Sequence, residues 1–138
     1  MKTSTLIDTN ILIDVWGSPK PWTGWSRGAL VQCREQGALL VNIVVWSEIA
    51  PLLDSGRLAA YADELEIDRE NFPFAAAYQA GLVHARYRRA DGARERTFPD
   101  FLIGAHAQHG GHRLLTRDPV RYRKYFPTIE IISPDTHP

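Results

Sequence analysis

The sequence predicts an α/β sandwich built on a mostly parallel sheet. Short apolar runs of strand length alternate with longer stretches of helical apolar spacing along the 138 residues. Two of those runs lead into an acid: Leu6-Ile7 stops at Asp8, and Leu114-Leu115-Thr116 runs on to Asp118. In open α/β sheets the rim at the carboxyl ends of the strands is where ligands bind. No repeat, low-complexity tract or linker divides the chain, so one domain over 1–138 is expected.

The elements follow in order. Residues 3–7 read as a buried strand, and Asn10 is a suitable N-cap for a helix over Ile11 to Trp16. Gly17-Ser-Pro-Lys-Pro21 breaks the chain into a loop. Helical spacing resumes from Trp22 to Gln36, and Gly37 closes that helix. Ala38 to Asn42 is a second strand. A helix beginning near Asn42 or Ile43 follows, kinked late by Pro51 and ended by Ser55-Gly56. Arg57 to Leu65 forms the next helix, and Glu66-Ile-Asp68 is a short, extended connection. Phe72 to Ala90 is the longest helical stretch, and Asp91-Gly92 turns it into the polar loop Ala93 to Thr97. Thr97 is placed to cap a helix with Pro99 and Asp100 in its first turn. Gly110-Gly111 ends that helix, His112 to Thr116 is a third strand, Val120 to Tyr125 a short helix, and Thr128 to Ile132 a final strand.

Composition sets limits on function. The single cysteine, Cys33, cannot form an internal disulfide, which fits a reducing cytoplasm. No basic-then-apolar leader is visible, and no apolar run approaches the roughly 20 residues of a membrane span. Formal charge is zero but uneven: residues 1–80 carry 6 basic and 10 acidic side chains, residues 81–138 carry 10 and 6. A basic half suits a polyanion on one face.

Four acids stand near element ends: Asp8 after the first strand, Glu48 in the helix after the second, Asp100 opening its helix, and Asp118 after the third strand. Singly, each has a structural explanation as a turn residue, a helix-dipole acid or a solvated helix residue. Together, clustered carboxylates repel unless a cation sits between them, and hard oxygen donors suit Mg²⁺ or Mn²⁺. Such an ion commonly serves phosphate-ester chemistry. His106, His109 and His112 lack a zinc-ligand pattern and are expected on a helix surface and its exit.

Leu6-Ile-Asp-Thr-Asn10, Trp46-Ser-Glu48, Pro99-Asp-Phe-Leu-Ile-Gly-Ala-His-Ala107 and Leu114-Leu-Thr-Arg-Asp118 resemble, in order, the signature blocks of PIN-domain nucleases. They are most similar to the VapC-type toxin ribonucleases of toxin–antitoxin pairs. The resemblance implies a three-layer α/β/α sandwich in which Asp8, Glu48, Asp100 and Asp118 form an acidic quartet that binds Mg²⁺ or Mn²⁺. Asp8, Asp100 and Asp118 would be the main ligands, with Glu48 ligating directly or holding a water. Asn10 and Thr116 would support the site. The implied reaction is in-line attack of water on an RNA phosphodiester, leaving a 5′-phosphate and a 3′-hydroxyl. The implied partners are RNA, a second copy of the chain, and a small antitoxin protein whose C-terminal segment lies along the toxin.

A pocket of carboxylates repels RNA, so cations must hold the phosphates beside it. Arg86, Arg88, Arg89, Arg94 and Arg96 precede the Asp100 helix, and Arg113, Arg117, Arg121, Arg123 and Lys124 flank Asp118. Of these, Arg86, Arg88, Arg89 and Arg117 are the leading candidates for RNA contacts. Trp16, Trp22 and Trp25 are expected at an antitoxin groove or dimer contact, since aromatics are enriched at interface anchors, whereas Trp46 is expected in the core. Other readings are a PIN nuclease of RNA processing, a non-catalytic RNA-binding module of the same fold, and a haloacid dehalogenase-like phosphatase. The last would want Asp-x-Asp after strand 1, where Asn10 stands instead.

Overall fold

The computed structural model describes residues 3–91 and 97–138. Five strands, β1 (Thr5–Ile7), β2 (Leu39–Val41), β3 (Ile67–Arg69), β4 (Arg113–Leu115) and β5 (Ile131–Ile132), form one sheet in the order β3-β2-β1-β4-β5. Every pairing is parallel. Between the strands lie α1 (Thr9–Trp16), α2 (Thr23–Gln36), α3 (Ile43–Ile49), α4 (Ser55–Glu64), α5 (Phe74–Asp91), α6 (Phe98–Gly110) and α7 (Val120–Tyr125). The architecture is the α/β/α sandwich expected.

The strand order explains where a site can form. The chain steps outward from β1 to β2 and β3, then returns across β1 to add β4 and β5 on the other side. The carboxyl ends of β1 and β4 therefore flank a topological switch point, where a crevice opens because the connections leave in opposite directions. The register aligns Ile7 with Leu115, and the Asp8 N–H donates to the Leu115 carbonyl at 2.9 Å. Asp8 and Thr116 consequently leave the sheet side by side.

β1, β2 and β4 are buried on both faces, as central parallel strands must be, and their continuous apolar runs reflect that. Phe101, Phe126 and Tyr122 are the largest fully buried side chains. Gly104 lets α6 approach Phe126 closely: a Cβ there would stand 2.5 Å from the ring. Gly111 ends α6 in the left-handed region, at φ 66°, which glycine adopts without a Cβ clash. Among the described residues no helix is long and apolar enough to cross a membrane.

Several local expectations change. Asp8, not Asn10, caps α1: its Oδ1 accepts from the Thr9 N–H at 2.7 Å, so the helix begins at Thr9. Ser55-Gly56 opens α4 instead of ending the preceding helix, because Asp54 accepts from the Arg57 N–H and caps it. Pro51 does end α3, in a 3-10 turn over Ala50–Leu52. Thr97 precedes α6 but makes no side-chain cap; its hydroxyl meets His84 Nε2 at 3.1 Å. The connection at Glu66–Asp68 is a true edge strand, β3, in which Ile67 alone is buried. His106 is fully buried rather than on a helix surface. Trp46 is only partly buried, with the Arg69 guanidinium 4.7 Å from its ring centre. The Gly92–Thr97 turn and loop, with Arg94 and Arg96, lie outside the described residues apart from Thr97 itself.

Candidate functional site

Asp8 is the best-buttressed acid. Its Oδ2 accepts from the Thr116 hydroxyl at 2.8 Å and the Tyr122 phenol at 3.0 Å, with Asn10 Nδ2 at 3.4 Å. Burial pushes its carboxyl up to about 7, with Asp100 adding to the rise and the Thr116, Thr9 and Tyr122 hydrogen bonds opposing it. Thr116 is fully buried and works in two directions. It donates to Asp8, and its oxygen accepts from the Asp118 N–H at 3.0 Å, which sets where Asp118 begins. Asn10 is released from capping and braces the same corner: Nδ2 lies 3.3 Å from the Thr116 hydroxyl, and Oδ1 accepts from the Arg117 N–H at 3.1 Å.

The other acids close around this corner. Glu48 lies on α3, exposed, and accepts from the Thr9 hydroxyl at 2.6 Å. Asp100 stands in the first turn of α6. Burial raises its carboxyl and Asp118 raises it further, while Arg121 and Tyr122 pull it back. Asp118 is exposed and lines a cavity of about 560 Å³ with Asp100, Arg121, Lys124, Tyr87 and Tyr125. All four acids expected from the sequence therefore gather at the switch point.

Tyr122 was not foreseen. It is 2% exposed on α7, and its hydroxyl is bonded to Asp8 and also interacts with Asp100. Burial together with Asp8, Asp100 and Glu48 holds the phenol well above its ordinary range, so it stays a neutral donor between carboxylates. Its neighbour Arg121 donates from Nη1 to Asp100 Oδ2 at 2.6 Å. The available signal was a short cationic helix directly after a candidate acid, in which one residue, Tyr122, is four positions past Asp118.

The basic candidates divide. Arg86, Arg88 and Arg89 are exposed on α5, and Tyr87 between them lines the cavity that holds Asp100 and Asp118. Arg117 is turned inward: its guanidinium donates to fully buried Asp14 at 2.5 and 3.1 Å, and Asp14 also accepts from Ser26 at 2.6 Å. Arg117 thus fixes the loop ahead of Asp118.

The donor set fits a hard divalent cation. It offers four carboxylates, and two of them are pushed toward protonation by burial and by a neighbouring acid, Asp8 by Asp100 and Asp100 by Asp118. The quartet is not drawn tight. Among the described residues, three donor atoms all within 4.8 Å of one another occur at Glu70, His106 and His112. The quartet stands more open, with Arg121 and Tyr122 set among its acids. The hydrogen pattern of the Glu70 cluster is that of a clasp. The Val45 N–H donates to Asn42 Oδ1 at 3.0 Å, so Asn42 Nδ2 must donate to His106 Nδ1, also at 3.0 Å. The imidazole proton then sits on Nε2 and donates to Glu70 Oε2 at 2.8 Å, where His112 Nε2 also arrives at 2.6 Å. A metal on His106 Nε2 would force that proton to Nδ1, against the Asn42 amide donor.

The model of the PIN domain matches residues 5–127. The chain belongs to the PIN domain family. Its fold is shared by solved toxin–antitoxin structures. VapBC2 from Rickettsia felis, bound to a DNA fragment from its promoter, aligns with TM-score 0.71 at 13% identity, over 95% of this chain and 98% of that one. VapBC-1 from nontypeable Haemophilus influenzae aligns with TM-score 0.67 at 14% identity, over 95% and 98%. A toxin–antitoxin complex from Klebsiella pneumoniae aligns with TM-score 0.64 at 22% identity, over 94% and 97%. A search among curated proteins found no matching relative.

Proposed function

We propose that this PIN domain is a Mg²⁺- or Mn²⁺-dependent endoribonuclease that acts in the cytoplasm as the toxin of a toxin–antitoxin pair. One observation carries the reading: Asp8 and Asp100, far apart in the sequence, meet on the Tyr122 phenol with both carboxyls raised. A buried acid beside a second carboxyl, both raised despite their hydrogen-bond donors, is costly in a structural role and fits a cation site. Asp8, Asp100 and Asp118 would hold the ion, with Glu48 as a direct or water-mediated fourth group. Bound there, a divalent cation supplies charge neutralisation and an acidified water for phosphodiester hydrolysis. Thr116 and Asn10 aim Asp8, Arg117 holds the loop before Asp118, and Arg86, Arg88 and Arg89 face the RNA backbone.

Two surfaces support the partners. Phe74, Tyr78 and Leu82 stand exposed one helical turn apart on α5, an apolar stripe suited to a second copy. A cavity of about 770 Å³ between α1, α2 and α4, with Trp16, Leu30, Val31 and Tyr61 in its wall and Arg27, Arg34, Glu35 and Glu64 lining it as well, suits an amphipathic segment of an antitoxin. Trp16 packs on Tyr61 there, with ring centres 5.7 Å apart. Trp22, 42% exposed, and partly buried Trp25 form an edge-to-face pair beside Arg117.

Incubating a total RNA pool with Mg²⁺, Mn²⁺ or EDTA, beside Asp8→Asn and Asp100→Asn variants, tests the reading. Metal-dependent cutting that leaves 5′-phosphates and disappears in both variants is expected. Cutting in EDTA, or full activity in both variants, would overturn it.

A further inference from the structure

Two arginines four residues apart border the acid site and are committed differently. Arg117 is spent on Asp14, an acid of the fold's interior. Arg121 is spent on Asp100, an acid of the site itself, at 2.6 Å, with side-chain exposures of 30% and 36%. Its backbone is fixed, because the next residue, Tyr122, is buried and bonded to Asp8. Its side chain borders the cavity that Asp118 and Lys124 also line, with the Tyr87 ring 5.6 Å from its guanidinium and a hydrogen bond to Tyr87.

The Arg121 guanidinium takes Asp100 Oδ2, so a divalent cation reaching that oxygen must displace it. The two cations compete for that oxygen, and they repel each other. The planar donor fork that grips a carboxylate grips a phosphate equally well. We propose that Arg121 is a two-position residue: it masks Asp100 in the metal-free chain, and on release it takes a phosphate of the RNA strand beside the acid site. This rests on the metal-dependent ribonuclease reading above.

The two positions demand opposite signs. Removing Arg121 frees Asp100 and removes a repelling charge, so a divalent ion binds more tightly; RNA, having lost a phosphate contact, binds more weakly. An arginine that only orients Asp100 for the ion would give looser binding of both. The test is Mn²⁺ titration by calorimetry and electron paramagnetic resonance on the full chain, as wild type, Arg121→Gln and Arg121→Lys. It is paired with kcat and KM for a single-stranded RNA oligonucleotide at several salt concentrations, and thermal melts confirm that each variant is folded. For Arg121→Gln the Mn²⁺ dissociation constant should fall about two- to fivefold, the range of a partly exposed ion pair. KM should rise about tenfold, and the slope of log KM against log salt should shrink by about 0.7, one phosphate contact. Arg121→Lys should retain most of the RNA affinity. Unchanged or weaker Mn²⁺ binding in Arg121→Gln, with the wild type binding Mn²⁺, overturns the masking role alone. An unchanged KM and salt slope overturns the phosphate role. If neither chain binds Mn²⁺, the metal-dependent reading falls, and this proposal with it.

Discussion

Two groups of titratable side chains sit near strand ends in this molecule, and they are in opposite electrostatic states. In the Glu70 clasp, burial would raise the Glu70 carboxyl, but the His112 and His106 hydrogen bonds outweigh it and hold it below the usual range. Donors and acceptors match there, and the Asn42 cap fixes the tautomer. In the acid site, burial wins: Asp8 and Asp100 are both pushed up despite several donors each. A satisfied cluster holds the fold, joining the ends of β2 and β3 to α6 and the start of β4. A strained cluster has favourable energy to gain from something the chain does not itself contain. Spacing alone would point to the clasp as the metal site; protons and charge point to the quartet.

The largest expected effect sharpens this contrast through pH. Asp8 moves from 3.8 to about 7, so between those values the folded chain binds a proton that the unfolded chain has released. Metal-free stability should therefore fall as pH rises from about 4 to 7, by roughly 4 kcal/mol from this group, and change little from it outside that window. Asp8→Asn should flatten the ramp, as read by urea unfolding in EDTA at pH 4, 5.5 and 7.5. A ramp of the opposite sign would break the account of Asp8.

The next effect concerns what props the site. Asp14→Ala leaves the Arg117 guanidinium without its carboxylate and should cost about 3 kcal/mol. It should also loosen the loop that positions Asp118, seen as faster amide exchange at Arg117 and Asp118. Third is the clasp: Glu70→Gln should cost about 1–2 kcal/mol in stability, because its charge-assisted bonds become neutral ones. It should leave metal-dependent RNA cleavage within about twofold of wild type, against a loss of about a hundredfold or more for Asp8→Asn, a larger effect than that of a residue that merely supports a ligand. The smallest change touches neither cluster. Phe74→Ser, at a residue 94% exposed, should leave the melting temperature within about 2 °C, since surface changes move stability by about 0.5 kcal/mol or less. It should weaken self-association in sedimentation velocity.

What the sequence disclosed follows from how each residue acts. The strand-end positions of Asp8 and Asp118 were legible because buried parallel strands leave continuous apolar runs whose ends are easy to mark. Asn10 was given two tasks, helix cap and site brace, which use the same amide chemistry; the geometry keeps the brace and hands the cap of α1 to Asp8. Tyr122 was hidden because a tyrosine in a short helix reads as core; its phenol matters only when Asp8 and Asp100 arrive from over a hundred and some twenty residues away. Glu70 was hidden because β3 buries one residue of three and leaves no run to end. Arg117 looked like an RNA contact because Asp14, its partner, lay in what read as an ordinary helix.

The most direct test sets the two clusters against each other in one measurement: the shift in melting temperature that Mn²⁺ produces at pH 7.5 in wild type, Asp100→Asn and Glu70→Gln. The acid-site account predicts stabilisation in wild type and Glu70→Gln, and none in Asp100→Asn. Stabilisation that survives in Asp100→Asn and vanishes in Glu70→Gln would contradict it and move the metal to the clasp.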